Sequence, residues 1–395
     1  MWGGESEMKF FISLIKILTI NIIILYSLLY SMEIVLQFKK NKLYNDTKYS
    51  FQKKISKKLN ENVVLSFSPY KLISKNSKII PLSGIPNKTT ILCDDGKKFI
   101  TYKADKFGFN NKKNTKVNDI IILGDSYVHG NCLDQKYNLV NQINHLGVKS
   151  VGLGMMGNGP LIEYATFIEY EFLFKYKYLV WLFTPENDYY DLANEQKNAI
   201  LKKYLVNQNH KQDLVKNQNL TTLEIYKYLN SKKNRPIREF LRKYHFDMSI
   251  IKDSIKKFNK KFVSNEEASI ESNSFDKKNI LLTNRILLKT NKFLKRENKK
   301  LMVVFNANHP ELMFPQNIPN KKKNKLIELS TGEIKKKLME NNIVYLDFNA
   351  YIKEKYNYKN VEKIFKKTKH GWNHYTKEGN ATLAKLILMK MTLMN

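Results

Sequence analysis

Short apolar runs recur along the latter part of the chain, each bounded by turn-forming residues. Runs of this length without polar alternation are typical of strands that are buried on both faces of a parallel sheet. The predicted strands are Ile120–Leu123, Ser150–Leu153, Tyr178–Phe183, Leu301–Phe305 and Ile343–Leu346. Amphipathic segments predict helices at Tyr137–His145, Leu161–Tyr176, Asn279–Glu297, Lys322–Met339 and Ala381–Met394. Alternating strands and helices predict a doubly wound α/β domain with a parallel sheet of about five strands.

One apolar segment near the amino terminus differs from all of these. Phe10–Leu36 has 27 residues and only two charged side chains, Lys16 and Glu33. As a helix it would rise about 40 Å, more than the roughly 30 Å of a hydrocarbon core. No small-residue cleavage site follows, so residues 1–38 are predicted to be an uncleaved transmembrane anchor. Three lysines at 39–42 favour a cytoplasmic body by the positive-inside rule, but in so lysine-rich a chain the sequence leaves the side of the membrane open.

The stretch between the anchor and the first predicted strand is polar and rich in lysine. Residues 39–115 are predicted to form a stalk and a small β-rich lead-in, not an independent domain. Its strand-like pieces are Ile79–Ile80, Thr90–Leu92 and a strand with a turn over 99–111.

The main domain is predicted over residues 116–395, with an insertion at about 191–275. The insertion is rich in Lys, Asn and Gln, and it contains amphipathic pieces at Leu223–Leu229 and Ile237–Tyr244. It is interpreted either as a helical lid beside the site or as a solvated, partly disordered excursion.

The charge of the chain suggests a nucleic-acid partner, but the kind of basic residue does not. The chain has 395 residues, with 68 Lys+Arg against 36 Asp+Glu and a net charge of +32. Arginine, whose planar fork reads phosphates and guanines, occurs only at Arg235, Arg238, Arg242, Arg285 and Arg296. We therefore predict no specific nucleic-acid partner and interpret the excess lysine as solvated surface.

Cysteine usage excludes other classes of site. Cys93 and Cys132 are the only two cysteines, too few for a disulfide scaffold or a thiolate zinc site. They would pair outside the cytoplasm or remain free buried thiols. No metal or cofactor motif is present, and none is predicted.

Polar residues follow the predicted strands, where ligands bind in open α/β sheets. Gly124-Asp125-Ser126 follows the first strand. A glycine-rich segment over 152–159 begins at the end of the second strand and continues beyond it. Asn187 and Asp188 follow the third strand, and His374 precedes the last helix. Asn306, Asn308 and His309 follow the fourth strand, either near the site or in a plain turn.

These residues supply the parts of an acyl-transfer site. Ser126 would be the nucleophile and His374 the base that removes its proton. The backbone N–H groups of Ser126 and Gly157 and the side-chain amide of Asn187 would form the oxyanion hole. Asp125 would brace the nucleophile turn, and a structural role is favoured for His129.

With these four residues the chain resembles the SGNH hydrolase superfamily, also called GDSL-type esterases. Ser126, Gly157, Asn187 and His374 match the residues of the four named blocks, in order. The resemblance covers roughly 116–395 without the insertion. It implies a flavodoxin-like three-layer αβα fold and ester hydrolysis or O-acyl transfer.

Two positions depart from the family pattern. Pro185 stands where a glycine usually opens the third block, and Gly371 stands where the triad acid usually lies, three residues before His374. Three alternatives remain: a backbone carbonyl near Gly371 orients the histidine in a Ser–His dyad, Asp347 reaches it, or the protein is a weakened or non-catalytic descendant.

The leading hypothesis is therefore a membrane-anchored esterase, deacetylase or O-acetyltransferase of the SGNH type. Its substrate would be an acylated small molecule, glycan or lipid, and the resemblance implies a cell-envelope substrate and a periplasmic or extracellular domain. The alternative is a non-catalytic protein of the same fold that binds a glycan or lipid at the membrane. The acyl donor, the acceptor and the oligomeric state stay open.

Overall fold

The structure is a computed structural model of the chain. It describes residues 4–72, 77–95, 98–112, 118–130, 132–207, 209–233, 277–314, 319–368 and 371–394. The chain divides into two compact units, residues 1–54 with 230–265 and residues 55–229 with 266–395. The predicted amphipathic piece Ile237–Tyr244 lies outside the described residues.

A single long helix, α1, runs from Gly4 to Leu59. Its segment Phe10–Leu36 has a mean hydropathy of 2.2, and most of its described side chains are exposed. Along this segment the hydroxyl groups of Thr19, Ser27 and Ser31 donate hydrogen bonds to carbonyl oxygens four residues earlier, which satisfies them in an apolar medium. The helix is long and apolar enough to be a membrane span or a signal sequence. The first part of the predicted stalk is a continuation of this same helix.

The lead-in forms a small sheet of its own. Strands β1 (Val64–Leu65), β2 (Thr89–Asp94) and β3 (Phe99–Lys103) lie in that order, with β1 parallel to β2 and β3 antiparallel to it. The predicted strand at Ile79–Ile80 is wrong. Both isoleucines are buried, but the backbone N–H of Ile80 bonds to the side chain of Gln212 and not to a neighbouring strand.

The main sheet has five parallel strands, as predicted, in the order β5-β4-β6-β7-β8. Their bounds are β4 Ile120–Gly124, β5 Ser150–Gly154, β6 Tyr178–Phe183, β7 Lys300–Phe305 and β8 Val344–Asp347. This is the flavodoxin-like strand order, in which the chain reverses direction across the sheet between β5 and β6. The predicted strands are confirmed to within one residue.

Side chains alternate between the two faces of the sheet, and each face is covered by helices. In β4, Ile121 and Leu123 face one layer, whereas Ile120 and Ile122 face the other. The first layer contains helices α4 (Pro160–Tyr170), α5 (Asp188–Glu195), α6 (Ala199–Val206), α7 (Gln218–Lys233), α8 (Lys277–Arg296) and α10 (Pro319–Glu340). The second contains α2 (Ser126–His129), α3 (Leu139–His145), α9 (Pro310–Met313), α11 (Phe348–Lys355) and α12 (Lys377–Thr392). The predicted three-layer αβα fold is confirmed.

The lead-in contributes to the core of this domain. Val64, Phe67 and Phe109 belong to the same buried cluster as Leu123 and Trp181 of the main sheet. Removing apolar side chains of this size from water stabilises a fold by about 1.5–3 kcal/mol each. The lead-in is therefore part of the folded unit and not a loose connection.

One predicted helix is shorter in the structure. The helix predicted over Leu161–Tyr176 ends at Tyr170 and is followed by a 3₁₀ turn over Glu171–Leu173. It ends early because the chain must turn back to enter β6, where the backbone N–H groups of Lys177 and Tyr178 bond to the carbonyl of Asp119. The described part of the predicted insertion is helical, as α6 and α7 show.

Candidate active site

The predicted nucleophile lies on a tight turn at the carboxyl end of the first central strand. Asp125 caps α2, and its side chain accepts a hydrogen bond from the backbone N–H of Tyr127 at 2.9 Å. Ser126 is the first residue of this short helix. The helix lies close to β5 because residue 154 is glycine: a Cβ there would come within 2.5 Å of Val128. The turn therefore places the Ser126 hydroxyl at the carboxyl end of the sheet.

The predicted base reaches the nucleophile from the other end of the chain. His374 lies on β10 (Gly371–Tyr375), which pairs in antiparallel fashion with β9 (Phe365–Thr368). Its Nε2 atom is 2.7 Å from the Oγ atom of Ser126. At this distance the Ser126 hydroxyl donates a hydrogen bond to a neutral imidazole, which is the geometry needed to remove its proton.

The protein surroundings keep the imidazole of His374 neutral. Burial, together with a smaller contribution from His309, lowers the pKa of His374 to about 3, although Glu186 acts in the opposite direction. The ring of Tyr127 packs against that of His374 with centroids 4.6 Å apart. At neutral pH the imidazole of His374 is therefore unprotonated and can accept a proton. The positive charge that it gains during the reaction is unfavourable in buried surroundings unless a negative charge offsets it.

Neighbouring hydrogen bonds anchor the strand that carries His374. The hydroxyl of Tyr375 donates to Asn306 Oδ1 and accepts from the backbone N–H of Ala307, both at 2.9 Å. Asn306 in turn donates to the hydroxyl of Thr184. The loops after β6 and β7 and strand β10 are thus joined by buried hydrogen bonds behind the Ser126–His374 pair.

Gly157 lies in the turn after β5, with a left-handed backbone conformation at φ +71°. A Cβ atom at this position would lie 2.6 Å from Ser68 Oγ. Glycine is therefore required here both by the backbone conformation and by the close approach of the lead-in. Strands β4 and β5 are neighbours, which brings this turn beside the nucleophile turn.

Asn187 lies at the start of α5 and faces the nucleophile turn. Its Nδ2 atom donates to Asp125 Oδ2 at 3.3 Å and to Asp191 Oδ2 at 3.2 Å. The amide is thus held beside Ser126 by two carboxyl groups. To donate to an oxyanion, it would exchange one of these long hydrogen bonds for a shorter one.

Asp347, one alternative for the triad acid, has another position in the structure. It caps α11, with Oδ1 accepting from the backbone N–H of Ala350 at 2.9 Å. Its other oxygen bonds to the ammonium group of Lys335. Both oxygens are thereby engaged by α11 and α10, so the expectation that Asp347 orients His374 is corrected: its role is that of a helix cap.

A group of buried carboxyl groups behind Asn187 was not predicted from the sequence. Glu195 accepts hydrogen bonds from the backbone N–H groups of Gly159, Leu161 and Ile162, which caps α4. Burial raises the pKa of Glu195 to about 8 and that of Asp191 to about 7. Burial also raises the pKa of Asp125, Glu163 and Asp188. Asp188, Asp191 and Glu195 all lie on α5, but Asp125 and Glu163 belong to other elements, and no sequence pattern joins them to α5.

These raised pKa values predict that the protein loses stability as the pH rises. Between about pH 4.5 and pH 8 the folded state holds protons on Asp191 and Glu195 that the unfolded chain has lost, so the free energy of unfolding falls with increasing pH. We expect a lower melting temperature at pH 8 than at pH 5, and a smaller difference in Glu195→Gln. The exposed Glu340→Gln is the control and should keep the wild-type difference; equal slopes in all three proteins would contradict the prediction.

The lead-in braces the nucleophile helix from its far end. The buried ring of His129 bonds through Nε2 to the hydroxyl of Tyr102 at 3.1 Å, and burial lowers the pKa of His129 to about 4. A disulfide joins Cys93 on β2 to Cys132, just after α2. These contacts hold the lead-in against the nucleophile turn.

Comparisons with known proteins give distant likenesses. No family model matches the sequence, and no curated protein matches it. Many of the solved structures with a similar fold are GDSL-type lipolytic hydrolases and acylhydrolases.

Three of these structures illustrate the degree of similarity. A lipolytic protein of the G-D-S-L family from Desulfitobacterium hafniense is 11% identical, with a TM-score of 0.36 and coverage of 70% of this chain and 99% of its own. An acetyl xylan esterase is 12% identical, with a TM-score of 0.37 and coverage of 69% and 98%. A GDSL-like lipase from Bacteroides thetaiotaomicron is 13% identical, with a TM-score of 0.34 and coverage of 71% and 89%. Likenesses at this level do not assign an activity to this chain.

Proposed function

We propose that the chain is a membrane-anchored serine hydrolase that acts on ester bonds. The observation that carries the proposal is the 2.7 Å contact between Ser126 Oγ and His374 Nε2, which joins residues 248 positions apart in the sequence. A hydroxyl held against a neutral imidazole is the arrangement of an activated nucleophile. A protein that only bound its ligand would have no need for it.

The reaction would proceed through an acyl-enzyme. The Ser126 oxygen attacks the carbonyl carbon of the ester while His374 takes the hydroxyl proton. The negatively charged oxygen of the tetrahedral intermediate would lie among the N–H groups of Ser126 and Gly157 and the amide of Asn187. His374 then returns the proton to the leaving alcohol, and the carbonyl re-forms as an ester with Ser126. Water, or a hydroxyl group of an acceptor, releases the acyl group by the reverse steps, again with His374 as base and then acid.

Short esters test the activity directly. We expect the purified protein to hydrolyse p-nitrophenyl acetate and to be labelled on Ser126 by a fluorophosphonate probe, which reacts only with an activated serine. The alternative, a non-catalytic glycan- or lipid-binding protein, requires neither. Failure of both hydrolysis and labelling in a folded protein would support that alternative.

The natural substrate is proposed to be an acylated glycan or lipid of the cell envelope. The apolar helix α1 supports this class, because an enzyme anchored by it would act close to a membrane. Acetyl is the acyl group we favour. Hydrolysis and O-acetyl transfer use the same acyl-enzyme and differ only in whether water or a sugar hydroxyl attacks it.

The catalytic domain is proposed to lie outside the cytoplasm. The Cys93–Cys132 disulfide supports this location, because structural disulfides persist in oxidising compartments and are rare in the cytosol. A reporter fused to the carboxyl terminus tests it. We expect activity from a reporter that works only outside the cytoplasm, and activity from one that works only inside would contradict the proposal.

A further inference from the structure

A segment of the lead-in lies beside the turn that carries Gly157. The segment is a 3₁₀ turn over Pro69–Leu72, together with Ser68 just before it. A Cβ atom on Gly157 would lie 2.6 Å from Ser68 Oγ and 3.9 Å from the Cβ atom of Tyr70. The lead-in therefore borders the proposed oxyanion hole, and it brings an aromatic side chain to that border.

Helix α5 brings a second tyrosine to the same end of the sheet. Tyr190 lies three residues after Asn187, so the two are neighbours on the helix surface. Its side chain is 50% exposed. Asp191, the next residue, accepts a hydrogen bond from Asn187 at 3.2 Å, and a Cβ atom on Gly159 would lie 2.6 Å from the Cβ atom of Asp191. The start of α5 is thus packed against the turn after β5, and Tyr190 lies at the solvent-facing rim of the proposed site.

The two tyrosines come from distant parts of the sequence, yet their phenol groups interact. Burial, the carboxylate of Asp191 and the phenol of Tyr190 together raise the pKa of Tyr70 to about 12. The hydroxyl of Tyr70 therefore stays protonated at neutral pH and can donate a hydrogen bond. The ammonium group of Lys71 lies 5.6 Å from the centre of the Tyr70 ring. We call Tyr70, Lys71 and Tyr190 the tyrosine wall.

The chemistry of the tyrosine wall suits a sugar and not a long acyl chain. A tyrosine ring has an apolar face, against which the C–H groups of a sugar ring can pack, and a hydroxyl that can exchange hydrogen bonds with sugar oxygens. The ammonium group of Lys71 adds further donors.

A long acyl chain would need exposed aliphatic surface instead. We considered the described residues of α5, of the Pro69–Leu72 turn and of the turns that directly follow β4, β5, β6 and β7. Among them, Tyr190 is the only large hydrophobic side chain that is exposed. The surroundings of the proposed site therefore offer a sugar more contacts than they offer a lipid tail.

We propose that the tyrosine wall binds the sugar ring of an O-acetylated glycan and so selects a glycan over a lipid as the substrate of this site. The inference rests on the proposed hydrolase function and narrows its substrate class. The tyrosine wall holds the alcohol side of the ester. Because it lies beside Gly157 and Asn187, a sugar packed against it would have its ester carbonyl close to the oxyanion hole.

Three esters test the preference of the wild-type protein. Ethyl acetate carries the acetyl group alone, the tetraacetate of methyl glucoside carries it on a sugar, and ethyl octanoate has a longer acyl chain. Titration of the released acid gives kcat/KM for each. We expect the glucoside ester to exceed ethyl acetate by about tenfold or more, because it gains the contacts of the wall. Ethyl octanoate should not exceed ethyl acetate.

Substitutions in the tyrosine wall test the assignment through the ratio of kcat/KM for the glucoside ester to that for ethyl acetate. Tyr190→Ala should lower this ratio by about 3- to 10-fold, mainly through a higher KM for the glucoside ester. Tyr190→Phe keeps the ring and should retain most of the ratio. Tyr70→Phe keeps its ring but loses the hydroxyl, so the ratio should fall by about 2- to 10-fold.

An exposed aromatic residue far from the site provides the matched control. Phe172 is 55% exposed and lies in the 3₁₀ turn that precedes β6, at the amino end of the sheet. Phe172→Ala should keep both the rate and the ratio. A merely structural defect in a wall variant would lower kcat/KM for both esters together and leave the ratio unchanged.

The outcomes separate this inference from the proposed function. An unchanged ratio in a folded Tyr190→Ala protein overturns the inference, and so does a wild-type preference for ethyl octanoate, which would indicate a lipid substrate. In either case the hydrolase function stands if Ser126→Ala abolishes hydrolysis of ethyl acetate. If the wild-type protein hydrolyses none of the three esters, the hydrolase function fails and the inference fails with it. Should Tyr70→Phe not fold, the ratio in Tyr190→Ala decides alone.

Discussion

Replacing Ser126 by alanine is expected to reduce ester hydrolysis to the background rate, a loss on the order of 10⁴-fold or more. The physical reason is that the Ser126 oxygen, 2.7 Å from His374 Nε2, is the atom proposed to form the acyl-enzyme. Without it no covalent intermediate forms and the fluorophosphonate probe has no site. Steady-state hydrolysis of p-nitrophenyl acetate and probe labelling measure the two losses independently.

The same experiment tests whether serine and histidine act as a unit. His374→Ala should cost nearly as much as Ser126→Ala, and the double variant should be no worse than either single variant, because a nucleophile and its base fail together. Ser77→Ala, which removes a hydroxyl bonded to Glu224 in the lead-in region, is the matched serine control and should keep full activity. Wild-type activity in Ser126→Ala would show that another group is the nucleophile.

Replacing Asn187 by alanine should lower kcat by about 100- to 1000-fold, or roughly 2.7–4 kcal/mol of transition-state stabilisation. The amide lies against the nucleophile turn, where its Nδ2 contacts Asp125. An oxyanion forms only in the transition state, so KM should change little while kcat falls. Michaelis profiles of the wild type and the variant measure both constants.

A second asparagine on the same helix provides the control. Asn194 is half-buried, and its side chain makes local hydrogen bonds with the carbonyl of Tyr190 and the ammonium group of Lys197, so Asn194→Ala should leave kcat unchanged. Asn187→Ala also removes a donor from Asp125 and Asp191, and melting temperatures show whether the activity loss reflects unfolding. A folded Asn187→Ala protein with wild-type kcat would exclude the amide from the oxyanion hole.

The sheet was predictable because its strands are buried on both faces. A run such as Tyr178–Phe183 is apolar at every position, and few other structures accommodate such a run flanked by turn residues. The lead-in was harder. Ile79 and Ile80 have the composition of a strand, yet their burial comes from irregular packing and a bond to Gln212, 132 residues away.

The residues of the proposed site likewise fall into those that the sequence predicted and those that it did not. Ser126, Gly157, Asn187 and His374 were identified by residue type and by their place after predicted strands, since parallel strands bring their carboxyl ends to one edge of the sheet. Glu186 and His309, which bond to each other in the structure, were near these positions in the sequence, but no pattern joins them. Their pairing depends on two adjacent loops, whose conformations the strand pattern does not determine.

By itself, the sequence determined the fold class, the apolar helix and the four residues of the proposed site, because hydrophobic periodicity and strand ends are local properties of the chain. Only the tertiary structure decided that Asp347 is a helix cap, that Cys93 and Cys132 pair, and that Glu186 bonds to His309. Each of these depends on distances between residues far apart in sequence. Such distances follow from the packing of whole elements, which no local pattern encodes.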